Sequence, residues 1–502
     1  MSLLAIDVGT TGCKAGAFTE DGNCLKKAYQ EYSPIHLRPG WAELDSRQVW
    51  SAVQEVIREV VVETKRDPVT ALSVSAMGEA ATPVGVGGEI LDTCILSSDM
   101  RGAEYVDELK QSIDQLSFYR INPNIMGVNY TLPKIKWLKK HKPDVFDRTE
   151  KFLLWGGLVE FMLGCEPFIG YSHASRTLLF DLHREDWSDH LVELSDIDRG
   201  KLPACQPGGT LAGIVSDKIA ERLGLPIGVK VVVGGHDQCC NALGAGIAEP
   251  GRAVDCIGTY ECITPVFEGV PDPDAMLGIG LHVEHHVLPG LFVTFLYNQA
   301  GSLIKWFRDT FAAERRDEVG IYEDLNAEMP PDPTKLFVLP YFEKTGSPGF
   351  VEDASGVIVG LKINTTRGEI LKAFMESLTF YFAECTELMK RIGMDTSTFV
   401  ATGGGAKSGA WLQIKADIFG VPFMRPLVAE AGLSGAAMLA GIGTGVFENA
   451  QQAIERFVKP GVVYEPDARR YEIYRERLAL YAELFPLMRD YLSSVEGKGN
   501  QS

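Results

Sequence analysis

The stretch LLAIDVGTTGCKAGAFTEDG, residues 3–22, carries the strongest structural signal in the chain. An apolar strand ends in Asp7, a tight turn covers residues 9–12, and a second strand carries Lys14 and ends at an Asp-Gly hairpin signal. A carboxylate, two hydroxyls, several backbone N–H groups and a cation at one turn suit the phosphates of a nucleotide and their magnesium ion. Taken alone, the pattern is equally typical of an ordinary hairpin with a glycine-rich turn.

A second copy of this pattern lies about half a chain further on. Residues 251–265 read GRAVDCIGTYECITP, again a strand, a Gly-Thr turn and a strand. The echo indicates an internal duplication in which each half supplies one phosphate-binding hairpin. The residue two places before the turn glycine is Asp7 in the first copy and Cys256 in the second. We therefore expect only the first hairpin to hold magnesium.

Length, composition and charge exclude several classes of function. The 502 residues predict two to four domains, and 45% apolar with 23% charged residues is ordinary for a globular protein. A net charge of −19 argues against nucleic acid and anionic membrane surfaces as partners. A site for ATP must therefore be local, built from backbone amides and a metal ion.

Two further features favour a cytoplasmic protein. No apolar run reaches the roughly 18–20 residues that a membrane span needs, and the first apolar stretch reads as a strand rather than a signal peptide. The ten cysteines are scattered without a CxxC pair, which is typical of reduced thiols. We expect cytoplasmic residence and no membrane association.

Hydrophobic periodicity and turn residues predict the remaining elements. The expected helices cover residues 46–66, 132–141, 369–392 and 467–493, and a further helix begins after Ser408 and reaches Gly420. The expected strands cover residues 71–77, 229–235 and 398–401. The glycine-rich stretch at residues 245–252 predicts a boundary between halves 1–247 and 248–495.

Together these pieces resemble the FGGY family of carbohydrate kinases over roughly residues 3–490. PKIKWLKKH at 133–141 and GVIVGLKINTTRGEILKAFME at 356–376 follow its two signatures. The resemblance implies an α/β fold with two ribonuclease-H-like domains of the actin/hexokinase type flanking a catalytic cleft. It also implies a xylulokinase-like activity, in which Mg-ATP phosphorylates a hydroxyl of a ketose. The first half would hold the sugar, and the second half would hold the adenosine.

The resemblance assigns three motifs to the nucleotide. They are IDVGTTGCK at 6–14, IGTYE at 257–261, and TGGGAKSGAWLQIKADIFG at 402–420. The residues implied are Asp7 for magnesium, Gly9, Thr10, Thr11, Lys14, Gly258 and Thr259 for the phosphates, and Gly403, Gly404, Gly405 and Lys407 for the adenosine side.

The segment GGHDQ at 234–238 matches the family's catalytic segment, which assigns the general base to Asp237. The chemistry agrees, because a sugar hydroxyl must lose its proton as it attacks the γ-phosphate. The alternative is that Asp237 is only a helix N-cap. The substrate-binding residues implied by the resemblance are Met77, Glu79, Asp99, Arg101, Asp237 and Gln238.

Departures from the family pattern bear on the substrate. Glycerol kinases carry Arg-Glu where this chain has Gly78 and Glu79, and a tryptophan common before Asp99 is absent. The two smaller residues predict room for something larger than glycerol. Glu261 resembles a variant seen in some deoxysugar kinases.

Several alternatives remain open at this point. The acceptor is a small sugar or polyol, so a glycerol-, erythritol- or fuculose-type kinase is the next candidate, and a non-kinase ATPase or a sugar sensor of the same fold follows. His282, His285 and His286 suggest either a metal site or, more simply, a partly exposed strand or loop. Lys14 is either a phosphate contact or a surface residue. A homodimer would fit the family.

Overall fold

Two mixed β-sheets built on one plan form the centre of the molecule. The computed structural model describes residues 1–351, 355–427 and 430–499, with side chains described up to residue 495. Each sheet is built around a β-hairpin, and a strand parallel to the hairpin's first strand lies beside it. The predicted duplication is therefore visible in the architecture.

The strands of the first half are β1 (Ser2–Val8), β2 (Gly12–Thr19), β3 (Cys24–Glu31), β4 (Glu43–Leu44), β5 (Val69–Ala76), β6 (Ala81–Val84), β7 (Cys94–Ile95), β8 (Lys151–Leu154), β9 (Phe168–Gly170), β10 (Phe180–Asp181), β11 (Asp186–Trp187), β12 (Ala204–Gln206), β13 (Leu211–Ile214) and β14 (Lys230–His236). Its helices are α1 (Ser46–Val61), α2 (Ala103–Ser112), α3 (Gln115–Tyr119), α4 (Thr131–His141), α5 (Pro143–Arg148), α6 (Trp155–Leu163), α7 (Tyr171–Ser175), α8 (Asp189–Leu194), α9 (Asp217–Leu223) and α10 (Asp237–Gly244).

The strands of the second half are β15 (Arg252–Ile257), β16 (Tyr260–Glu268), β17 (Glu284–His285), β18 (Leu291–Val293), β19 (Leu296–Gln299), β20 (Phe337–Leu339), β21 (Val357–Val359), β22 (Thr398–Thr402), β23 (Phe423–Arg425) and β24 (Val462–Tyr464). Its helices are α11 (Pro273–Gly278), α12 (Gly301–Phe311), α13 (Ile321–Ala327), α14 (Arg367–Arg391), α15 (Gly409–Phe419), α16 (Ala431–Gly443), α17 (Ala450–Phe457) and α18 (Ala468–Gly499).

The two sheets share a strand order. The first runs β13-β14-β5-β1-β2-β3, and the second runs β24-β23-β22-β15-β16-β18 before ending at β17. In both sheets three neighbouring strands are parallel, namely β14, β5 and β1 in the first and β23, β22 and β15 in the second. The strands on either side of them pair in the antiparallel direction. Because parallel strands end at the same edge, the residues that follow β1, β5 and β14 lie together.

Local sequence accounts for the helices that were predicted. The helix expected from residue 46 is α1, which begins after the N-cap Asp45 and buries its valine and isoleucine face. Ser408 is the N-cap of α15, accepting a hydrogen bond from the Trp411 N–H at 3.3 Å, and Gly420 follows the helix with a φ of 69°. Both match the expected signals.

Among the described residues, the apolar core has two parts in the first half, one largely in the second half and a fourth shared between them. Helices α10 and α16 pack against each other in this shared part, and α16 also contacts β1, β5 and β14. Helix α10 of the first half, which begins at Asp237, is thus supported by a helix of the second half. The division at residue 247 stays a prediction. Of the described helices, none is both long enough and apolar enough to cross a membrane.

Candidate active site

A cleft of about 640 Å³ opens where the first hairpin faces the start of α10. Its lining brings together residues far apart in sequence, as the predicted nucleotide site requires. The lining residues are Asp7, Gly9, Thr10, Thr11, Gly12, Lys14, Lys27, Ala28, Tyr29, Met77, Asp237, Glu430 and Leu433.

The turn between β1 and β2 is closed by its own backbone. The Gly9 N–H donates to the Gly12 carbonyl at 3.0 Å, and the Tyr32 hydroxyl donates to the Gly9 carbonyl at 2.7 Å. Thr10 and Thr11 lie at the exposed tip, on the cleft. This arrangement suits a phosphate, which needs N–H groups and hydroxyls held in place.

Asp7 lines this cleft and is the second-to-last residue of β1. Its Oδ1 accepts a hydrogen bond from the Ser75 hydroxyl at 2.8 Å. Burial and the nearby Asp237 carboxylate raise the pKa of Asp7 to about 6. Two carboxylates that share one cleft repel each other, and a divalent cation relieves that repulsion. The residues present therefore fit a magnesium ion carried by a nucleotide.

Asp237 is the first residue of α10, directly after β14 ends at His236. The N-cap position belongs to His236, so the N-cap alternative for Asp237 is wrong. Burial raises the pKa of Asp237, and His236 opposes that rise. Beside it, the Oε1 atom of Gln238 is buried with no hydrogen-bond partner among the described residues. Asp237 lines the cleft, whereas Gln238 does not, and the contact of Gln238 with a substrate stays a prediction.

His236 links the predicted base to a residue that the sequence did not single out. Its Nε2 lies 3.3 Å from Asp237 Oδ1, and its Nδ1 lies 3.0 Å from Glu284 Oε1. Burial acts to lower the pKa of His236, but Glu284 and Asp237 raise it overall. The imidazole therefore lies against the Asp237 carboxylate and is itself anchored by Glu284.

Glu79 lies beside this group and is held by Arg176, which also escaped sequence reasoning. The Arg176 Nε donates to Glu79 Oε1 at 2.8 Å. The room inferred from Gly78 is not there. A Cβ at Gly78 would lie 3.0 Å from His236 Nε2 and 3.7 Å from Arg176 Cγ, so neighbouring side chains already fill the space.

Asp99 and Arg101 form a separate buried cluster. The Asp99 carboxylate accepts hydrogen bonds from the Ala42 N–H at 2.6 Å and from Arg101, whose guanidinium also pairs with Glu43 at 2.8 Å. Trp41 stacks on that guanidinium at 4.1 Å. Neither Asp99 nor Arg101 lines the cleft. Their bonds to Ala42 and Glu43 favour a structural role, in which they hold these two segments together. Their contact with a sugar stays a prediction.

Lys14 is tied to the second half of the chain. Its ammonium group lies 3.1 Å from Glu430 Oε2, and Lys27 lies 3.1 Å from the other oxygen of the same carboxylate. Both lysines and Glu430 line the cleft. Lys14 is thus on the cleft rather than a remote surface residue, and its contact with a phosphate stays a prediction.

The second turn and the glycine loop meet at the end of β15. Gly403 has a φ of 81°, and a Cβ there would lie 2.6 Å from the Ile257 carbonyl oxygen, while a Cβ at Gly405 would lie 2.3 Å from the Ile257 side chain. These glycines allow the loop to pack closely against Ile257, the residue before Gly258. Gly404 and Lys407 are exposed. None of these residues lines the described cleft, and their nucleotide contacts stay predictions.

Glu261 belongs to a buried ion cluster rather than to the cleft. Lys415 of α15 lies 2.5 Å from Glu261 and 3.1 Å from Asp255, and all three side chains are fully buried. The cluster ties the second hairpin to the predicted adenosine helix, which gives Glu261 a role in the protein's interior.

The three histidines at 282–286 are all buried, so the expected exposure is wrong. Among the described residues, the group that approaches a metal-ligand arrangement is His236, Cys239 and Glu284. Burial and Glu284 raise the pKa of Cys239 well above its ordinary value, so the thiol is protonated when no ion is bound. The hydrogen bond between His236 and Glu284 accounts for their proximity.

Two duplicated α/β halves, with a phosphate-type turn and two acids on one cleft, define a phosphotransferase of the actin/hexokinase type. Residues 2–244 match the N-terminal domain of the FGGY family of carbohydrate kinases, and residues 282–444 match its C-terminal domain. The chain belongs to this family and is an ATP-dependent sugar kinase.

Similar proteins span the whole length. The xylulose kinase of Staphylococcus epidermidis is 27% identical over 488 residues, or 96% of each chain. The autoinducer-2 kinase of Escherichia coli K12 is 27% identical over 498 residues, 94% of this chain and 92% of that protein. The crystal structure of xylulose kinase from Rhodospirillum rubrum superposes with a TM-score of 0.90 at 25% identity, covering 98% of this chain and 100% of that one.

Proposed function

We propose that this protein transfers the γ-phosphate of ATP to a hydroxyl of a ketose, as a xylulokinase does, with Asp237 as the general base. The observation that supports this most is that Asp237, Asp7 and the first Gly-Thr turn line the same cleft. The xylulose kinases among its relatives favour a ketose acceptor.

The residues divide the reaction between them. The sugar oxygen attacks the γ-phosphorus, the bond to the β-phosphate oxygen breaks, and Asp237 accepts the hydroxyl proton. His236 lies 3.3 Å from the Asp237 carboxylate and is itself anchored by Glu284, which supports Asp237 in this role. Asp7 would hold magnesium, which supplies positive charge to the phosphate oxygens when it is bound. Closure of the cleft would exclude water, the competing acceptor.

A coupled assay for ADP release tests this proposal directly. The purified protein is incubated with Mg-ATP and a panel of ketoses, deoxysugars and polyols, together with autoinducer-2. We expect ADP release to depend on the added acceptor and to be fastest with a ketose. Fastest release with a polyol or deoxyketose would move the substrate to the glycerol-, erythritol- or fuculose-type alternative. Equal release with no acceptor would make the protein an autonomous ATPase and contradict the proposal.

A further inference from the structure

The side chain of Arg176 lies next to Gly78 and supplies a guanidinium that residue 78 of this chain lacks. It follows α7, 97 residues from Glu79, and donates from both Nε and a terminal nitrogen to the same oxygen, Glu79 Oε1. The other oxygen, Oε2, is left to accept from a ligand. Each side chain is 11% exposed, so the pair is not sealed off.

The pair lies next to the predicted base. His236 Nε2 approaches Asp237 Oδ1 at 3.3 Å and also approaches the Cβ position of Gly78 at 3.0 Å, and Arg176 lies on that same Cβ position. Met77, one residue earlier, lines the cleft together with Asp237. The pair therefore lies beside the position that a substrate hydroxyl would take at Asp237, just outside the lining of the cleft.

The positive charge of Arg176 is already matched by the carboxylates around it. Its second terminal nitrogen lies 3.4 Å from the fully buried Glu284, and its guanidinium stacks on Tyr130 at 4.9 Å. With Glu79, Glu284 and Asp237, three carboxylates face one guanidinium and one imidazole. An additional carboxylate would find no spare positive charge here and would be repelled.

We propose that Arg176 and Glu79 form a donor–acceptor pair that binds hydroxyls of a neutral polyhydroxy substrate beside Asp237 and discriminates against sugar acids. A guanidinium donates from several N–H groups in a fixed plane, and a carboxylate accepts, so the pair can engage adjacent hydroxyls in one orientation. This inference rests on the proposed kinase function and deepens it.

The test uses Arg176→Lys, which keeps the charge but loses the planar donors, and Arg176→Gln, which loses both. Arg184→Gln is the control, because Arg184 is 75% exposed. Kinetics use the neutral sugar that gives the fastest ADP release in the wild type, and calorimetry measures its binding without nucleotide. We expect the KM for sugar to rise about ten- to a hundredfold in both variants, with kcat and the KM for ATP changed by less than about threefold.

A second arm tests the charge balance with xylonate, a sugar acid of pentose size. Wild-type protein should use it far more slowly than the neutral sugar. Glu79→Gln frees one charge of Arg176, so it should weaken the neutral sugar and improve xylonate relative to it by about tenfold.

Three results would overturn the proposal. They are an unchanged KM for sugar in folded Arg176 variants, wild-type turnover of xylonate as fast as that of neutral sugars, and loss of folding in both Arg176 variants, which would make the residue structural. A wild type that phosphorylates no sugar or polyol contradicts the proposed function itself. Preference for xylonate leaves the kinase intact and removes only the role given to Arg176.

Discussion

At the scale of single residues, the site depends on acids placed where a strand ends. Asp7 is the second-to-last residue of β1, and Asp237 directly follows β14. The ends of these two parallel strands lie at the same edge of the first sheet. Asp7 accepts a hydrogen bond from the Ser75 hydroxyl, and the His236 imidazole lies 3.3 Å from Asp237. Each carboxylate thus has one fixed partner and one face on the cleft, which is the arrangement that metal binding and proton transfer need.

The role of Asp7 predicts the behaviour of Asp7→Asn. The amide is nearly isosteric and can keep the bond to Ser75, but it loses the charge that would hold magnesium. We expect kcat at saturating magnesium to fall by more than about a hundredfold, with little change in melting temperature. Asp21→Asn, at the exposed far end of the same hairpin, serves as the control and should keep normal turnover. Near-normal turnover of Asp7→Asn would remove Asp7 as the metal ligand.

Sequence predicted the acids of the site better than their partners. The Gly-Thr turns, Asp7, Asp237 and Glu79 lie in local patterns with a chemical meaning. Arg176 and Glu284 do not, because they lie 97 and 48 residues from the groups they hold, directly after a short helix and on a two-residue strand. Gly78 showed that a side chain was missing, but only the fold shows that His236 and Arg176 occupy the space.

At the scale of elements, the two hairpins differ in how their acids are used. The first turns Asp7 toward the cleft, whereas the second buries Asp255 and Glu261 against Lys415 of α15. The same fold unit thus serves as a ligand-binding hairpin in one half and as an anchor for a helix in the other. The helix, strand and turn patterns predicted both hairpins and α15, but not the ion cluster, because its members come from separate elements.

The buried cluster predicts a pH dependence of stability. Burial and Asp255 raise the pKa of Glu261 to about 8, against the opposing effect of Lys415. A carboxyl group whose pKa rises on folding stabilises the fold fully below its unfolded pKa of about 4.3, and this stabilisation is lost progressively as the pH rises from there through about 8. We therefore expect the wild-type melting temperature to fall between pH 5 and pH 8, and Glu261→Gln to show a smaller fall.

The control for this measurement is Glu268→Gln, an exposed glutamate on the same strand. It should keep the wild-type slope of melting temperature against pH. In Glu261→Gln, Lys415 retains Asp255 at 3.1 Å as its counter-ion, so the variant should fold. Equal slopes in the wild type and Glu261→Gln would show that Glu261 does not titrate in this range.

At the scale of the whole molecule, the second half supports the catalytic elements of the first. Glu430 pairs with Lys14 of the first hairpin and with Lys27 of β3, and α16 packs against α10. The contact between these helices is close enough to require glycine. A Cβ at Gly435 would lie 1.9 Å from the Cys240 carbonyl oxygen. The position of Asp237 at the start of α10 therefore depends on residues from both halves.

This contact predicts that Gly435→Ala will impair both stability and activity. The methyl group must push α16 away from α10, and overpacking of this kind costs about 1–3 kcal/mol. We expect a lower melting temperature and a lower kcat, since α10 carries Asp237. Gly278→Ala is the control, because a Cβ there has no heavy atom within 4 Å. Normal kcat and melting temperature in Gly435→Ala would show that the helices can separate without consequence for the site.

The central claim, that Asp237 accepts the proton of the sugar hydroxyl, is tested most directly by kcat of Asp237→Asn with saturating sugar and Mg-ATP. A positioned general base contributes about a hundred- to ten-thousandfold, and the amide is nearly isosteric but cannot accept the proton. We predict that kcat falls by at least about a hundredfold, while sugar binding and melting temperature change little. A folded Asp237→Asn protein that turns over at the wild-type rate would contradict the claim.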